Sequence, residues 1–114
     1  MKRYAAHFIF IPEYGYLKQY VVEVEKGCVV SVFPLTEEME GVEWFPGVIA
    51  LLTDKDDISA KLHDIFQKQK EVLKKVPETL YKEPFFARLV PYLFYPFDFT
   101  TMQPVGGTRH RQLL

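Results

Sequence analysis

The 114-residue sequence predicts an α+β domain. Its parts are an antiparallel β-sheet, small β-sandwich or half-barrel, one long amphipathic helix, and an aromatic C-terminal segment. Three observations predict this. Residues 4–52 carry β-branched and aromatic side chains in short runs broken by turn residues. Residues 55–76 repeat apolar side chains at helical spacing. Residues 77–114 return to aromatic, proline-rich sequence with short extended stretches. A chain of this length is enough for a single domain spanning 1–114, and it buries roughly two thirds of its unfolded surface without disulfide or metal. With 48% hydrophobic and 25% charged residues the composition is that of a globular protein.

The first strand is expected over 4–11, where both faces (Tyr4, Ala6, Phe8, Phe10 and Ala5, His7, Ile9, Ile11) are mostly apolar. Such a strand is covered on both sides. "PEYGY" supplies the turn after it. "QYVVEVE" alternates, giving one wet face through Glu23 and Glu25. Two residues, Lys26-Gly27, separate it from "CVVSVF", the spacing of a two-residue hairpin in which Gly27 takes φ > 0. "PLTEEMEG" is polar and reads as a loop or single helical turn. "VEWF" and "VIALL" are short strands on either side of a Pro46-Gly47 turn.

Residues 55–76 place Ile58, Leu62, Ile65, Phe66, Val72, Leu73 and Val76 on one stripe. Asp54 caps its start, and Pro77 ends it. The pairs Asp57–Lys61, Asp64–Lys68 and Glu71–Lys75 recur every seven residues as acid before base at i, i+4, marking the solvated face. Tyr81–Phe99 then holds eight aromatic residues. Pro84 suits the first turn of a short helix that Pro91 stops or kinks. Gly106-Gly107 reads as a turn between two extended pieces, the last returning to the sheet.

The order of features in "AAHFIFIPEYGYLKQYVVEVEKGCVVSVFPLTEE" and "EWFPGVIALL" resembles the N-terminal β-sandwich (composite) domain of amidohydrolase-superfamily metal-dependent hydrolases. Those patterns span less than half the chain. In that family the strand after the Pro-Gly carries a metal-binding His-x-His pair. Here the chain continues "VIALLTDKDDISAKLHD" without one, and a (β/α)₈ barrel needs roughly 200 residues or more. The resemblance therefore implies the accessory β-domain standing alone, without the catalytic barrel, metal or hydrolase activity.

The remaining chemistry is sparse. His7, His63 and His110 lack any metal-ligand spacing, and His63 lies at the edge of the helical stripe. Cys28, the single cysteine, shares a strand face with Val30 and Val32 and reads as a small core residue in a reducing compartment. No catalytic residue, metal or cofactor is expected. "GGTRHR" is the best candidate for binding: Thr108, Arg109, His110 and Arg111 follow a glycine pair, and a strand turns Arg109 and Arg111 to one side, opposite His110. Guanidinium groups there suit an anion; the structural counterpart is an edge strand guarded by charge. Most rings of the tail should fill the core, with Tyr92, Phe94, Tyr95 and Phe97 as a candidate surface for a homodimer or other protein partner.

Fourteen basic residues against 15 acidic give a net charge of −1, which disfavours nucleic acid and anionic membrane as partners. The N-terminal apolar run is interrupted by His7 and ends at Pro12-Glu13, short for a signal peptide. No stretch approaches the ~20 apolar residues of a spanning helix. The expectation is a cytoplasmic, non-enzymatic module for protein interaction or assembly. The alternative is a small-ligand or anion-binding protein that uses GGTRHR.

Overall fold

Alternating apolar side chains turn most of the chain into strand. The computed structural model describes residues 2–12, 14–36, 40–53, 64–67, 71–73 and 89–113. Its strands are β1 (Lys2–Ile11), β2 (Gly15–Lys18), β3 (Tyr20–Glu25), β4 (Cys28–Pro34), β5 (Val42–Leu52), β6 (Val72–Leu73), β7 (Val90–Asp98) and β8 (Gln103–Gln112). They form one sheet in the order β4-β3-β1-β5-β7-β8, with β2 beside β1 and β6 beside β2. The β1–β5 and β2–β6 pairs are parallel, and the others are antiparallel.

The α+β expectation with one long helix is overturned: this is a mixed β-sheet. Among the described residues helix is confined to 64–67, and the chain is back in the sheet at Val72–Leu73. The reason is the open edge of β2. The Tyr16 amide donates to the Glu71 carbonyl at 2.8 Å, and Val72 and Leu73 pair with Tyr16 and Leu17. Edge pairing outweighs the intrinsic helix preference of so short a stretch. Asp54, Pro77, His63 and the partners that complete the three acid–base pairs lie outside the described residues.

The aromatic tail departs from expectation in the same direction. Pro91 lies inside β7, not at the end of a helix, and β7 continues through seven further residues against β5 and β8. Pro84 lies outside the described residues. Gly106 and Gly107 lie within β8 instead of separating two strands. They belong to a wide bulge, in which Val105–Thr108 bow outward opposite Pro96. The Thr108 hydroxyl closes it, donating to Pro96 O at 2.6 Å and accepting from Val105 N at 2.8 Å. The turn joining β7 to β8 is held by Asp98, whose Oδ1 accepts from the Thr100 and Thr101 amides at 2.8 and 3.3 Å. Those hydrogen bonds hold the Asp98 carboxyl below its ordinary pKa.

The β3–β4 hairpin has the expected two-residue turn, with φ of 54° at Lys26 and 79° at Gly27, the pair of positive φ values of a type I′ turn. Past it, Val24 pairs with Val29 and Glu23 with Ser31, so Val30 is the extra residue. It bulges out and is exposed, while Val29 and Val32 are core and Cys28 is half-buried.

Both faces of the sheet centre are buried. One carries Tyr4, Ile9, Leu17, Val22, Ile49 and Leu93 among others. The sheet curls round this cluster, since the Val29 amide on β4 donates to Leu89 O just before β7. The opposite face is aromatic, with Phe10, Tyr16, Phe94 and Phe97 packed under Phe66 of the 64–67 turn. Phe66 lies 5.0 Å from each of the Phe10, Phe94 and Phe97 rings, centroid to centroid. The Tyr16 hydroxyl donates to Met102 O at 3.2 Å, and burial pushes its phenol above the ordinary range.

Candidate ligand-binding cleft

The cleft begins with a bulge between β1 and β5. Ala6 pairs with Phe45 and Phe8 with Val48, so His7 alone faces Pro46 and Gly47. The "VEWF" and "VIALL" runs are thus one strand, and Pro46-Gly47 is a bulge within it, not a turn. The expected alternation of β1 changes phase there: Tyr4 and Ala6 share a cluster with Ile9 and Ile11, while Phe8 joins the other. Gly47 adopts φ +117°, a value side chains rarely take. A Cβ built on it would fall on the carbonyl oxygen of Phe94. The Gly47 amide donates to His7 Nδ1 at 3.1 Å.

This bulge sets one wall of a cleft of about 440 Å³. β5 contributes Phe45 and Pro46, β7 contributes Leu93 and Tyr95, and β8 contributes Arg109, His110 and Arg111. Register explains the grouping. Leu93 pairs with Arg111 and Tyr95 with Arg109, so two apolar and two cationic side chains stand in neighbouring rows of one face. The Arg111 guanidinium lies 4.9 Å from the Phe45 ring centroid, a cation–π contact that holds it over the floor. Tyr95 is half exposed at the rim (52%). Among the described residues the ion pair is Arg3–Glu23, remote from this cleft, and neither Arg109 nor Arg111 has a carboxylate partner. Glu43 and Arg111 both act on the Tyr4 phenol, which burial raises first, Glu43 raises further and Arg111 partly restores.

The candidate residues of the sequence are therefore divided by the structure. Arg109 and Arg111 come together over one cleft, while His110 borders it between them with its ring turned to the other face, 5.8 Å from the Phe94 ring and 6.4 Å from that of Tyr92. Thr108 does not join them, because both hydrogen-bonding roles of its hydroxyl go to the backbone of the bulge. Of the aromatic set, Tyr95 lines the cleft and Tyr92 is half-buried. Phe94 and Phe97 are core residues, with no surface to offer a partner. Strand alternation turns Phe94 to the aromatic face, opposite Leu93 and Tyr95, and the register shift at Pro96 reverses the phase so that Phe97 joins it.

Three lining residues, Phe45, Pro46 and Leu93, carry no signal in the sequence beyond being apolar. The register that brings β5 under β8 is a long-range fact. Among the described residues no group of three or more His, Cys, Asp and Glu could hold a metal ion, and no helix is long and apolar enough to cross a membrane. No protein-family model, curated protein or solved structure matches this chain.

Proposed function

We propose that this protein binds small organic anions, with the charged group on Arg109 and Arg111 and an apolar body over Phe45, Leu93 and Tyr95. The observation that supports this reading most strongly is the pair of guanidiniums turned over an apolar floor, with no carboxylate among the described residues paired to them. An arginine in such a place seeks an oxyanion, and its fork makes two parallel hydrogen bonds to a carboxylate, sulfonate or phosphate. The two arginines are two residues apart on one strand, about 7 Å between Cα atoms. That lets both reach one headgroup from different sides. A cleft of about 440 Å³ falls within the range that small-molecule sites occupy. The apolar walls favour an anion with a hydrocarbon or aromatic portion over an inorganic ion, since burying that portion adds about 25 cal/mol per Å². No catalytic residue is assigned.

The test is titration with anilinonaphthalene sulfonate, an aromatic anion whose fluorescence reports binding, and separately with inorganic phosphate. Replacing Arg109 and Arg111 together with alanine is expected to weaken binding of the sulfonate by about tenfold or more, the scale of charge-assisted hydrogen bonds. Phosphate should compete poorly. Unchanged sulfonate binding in the double variant would dismiss the cleft as the site.

A further inference from the structure

We infer that His7, on the face of the sheet opposite the cleft, is a positioning residue for it, and that protonating His7 weakens anion binding. The inference rests on the reading of the cleft given above and concerns its regulation. Three observations carry it. The Gly47 amide donates to His7 Nδ1 at 3.1 Å. A backbone N–H is a donor without ambiguity, so the imidazole in this arrangement is neutral and carries its proton on Nε2. Gly47 lies in the bulge that His7 faces alone, and the two residues just before Gly47, Phe45 and Pro46, form the β5 wall of the cleft. The ring is also exposed to solvent protons, although it is fixed between Trp44 (4.9 Å, edge-on) and Phe99 (4.6 Å).

Protonation turns the acceptor at Nδ1 into a second donor facing the Gly47 amide. The hydrogen bond is lost and two N–H groups oppose each other. Gly47 cannot settle by taking another partner toward β7, because its Cα already abuts the Phe94 carbonyl. The bulge must shift, and Phe45 moves with it. Arg111 rests on that ring, so the displacement reaches the cation that holds the anion.

Among the described residues, other charged groups near the ring are few. On β5, Glu43 adjoins Trp44 but faces Tyr4, with which it pairs. On β2, Lys18 lies opposite Phe8. After β7, Asp98 precedes Phe99, and its carboxylate is engaged by Thr100 and Thr101. Amine and carboxyl side chains ordinarily titrate outside the interval in which an imidazole changes charge. Among the described residues the competing imidazole is His110, which borders the cleft between the two arginines with its ring against Phe94 and Tyr92. Its protonation would add positive charge and strengthen anion binding, the opposite sign, so the test is made in His110→Gln protein.

Sulfonate stays ionised throughout, so the affinity for anilinonaphthalene sulfonate is measured between about pH 8 and pH 5. In H110Q protein the affinity should fall by about fivefold toward acid, the value of one net hydrogen bond. His7→Asn, whose side-chain oxygen can accept from the Gly47 amide without titrating, should make the H110Q profile flat. His7→Ala should give the weak acid-side affinity at every pH. A fall in the His7→Asn protein equal to that of its parent would overturn the inference.

A second readout needs no ligand. The Gly47 amide and Phe45 ring resonances should titrate together with the His7 ring, and a Phe45 ring that stays still while His7 titrates would overturn the coupling. If replacing both arginines leaves sulfonate binding unchanged, the cleft reading fails by itself. The resonances then decide the role of His7 separately.

Discussion

Gly47 meets two demands that no other residue satisfies together. Its φ of +117° excludes a side chain on conformational grounds, and the Phe94 carbonyl occupies the place a Cβ would need. Gly47→Ala should therefore destabilise the protein by about 2–4 kcal/mol, combining backbone strain with a steric shift of β5 against β7. Urea denaturation measures this, and a midpoint equal to that of the wild type would contradict it. The hydrogen bond from Gly47 to His7 is a different matter. It ties the bulge to a titratable group and costs the fold little when neutral, which is why it suits a positioning role.

β8 places the two arginines, and it does so by being interrupted. Val105–Thr108 bow out opposite a single β7 residue, Pro96, and the ladder resumes with Tyr95 opposite Arg109. That excursion sets which of residues 109–111 face the cleft, because a slip of one position turns every side chain to the other face. The Thr108 hydroxyl is the clamp. Thr108→Val keeps the shape but leaves Val105 N–H and Pro96 C=O without their partner, a loss of about 1–2 kcal/mol. Sulfonate affinity should fall with it, since Arg109 is the next residue. Thr108→Val protein with wild-type stability would show that the bulge holds itself. Edge strands are commonly protected by charge, and β8 meets that need with the same arginines that line the cleft.

Across the whole molecule, one sheet is covered on both faces. The curl brings β4 to the start of β7 and encloses the aliphatic cluster, while the 64–67 turn covers the aromatic one. Phe66 is fully buried there against three phenylalanine rings. Phe66→Ala should cost about 3–5 kcal/mol. Trp44→Ala, at a residue half exposed, should cost about 1 kcal/mol or less. Thermal or urea unfolding of the two variants checks the contrast, and equal losses would mean that the aromatic face depends on the rim as much as on its centre.

Local features of this chain were legible residue by residue. Lys26-Gly27 between two β-branched runs dictates a tight hairpin, because both positions must take positive φ and only a short turn of that hand suits twisted strands. The two-sided apolar character of residues 4–11 dictates a central strand, and the i, i+2 spacing of Arg109 and Arg111 dictates a shared face once the segment is extended. The apolar spacing over 55–76 was misleading, since a period of 3.6 cannot foresee that Val72–Leu73 will find the open edge of β2. Nor could it be read locally that Pro46-Gly47 sits across from one histidine, or that Phe45 and Leu93 lie under the arginines. Those facts depend on the register between strands far apart in the chain. By itself the sequence determined the short-range geometry, where one residue's φ and its neighbours' spacing suffice. Tertiary structure alone decided the bulges, the cleft and the hold of His7 on its wall, because each arises where two distant strands meet.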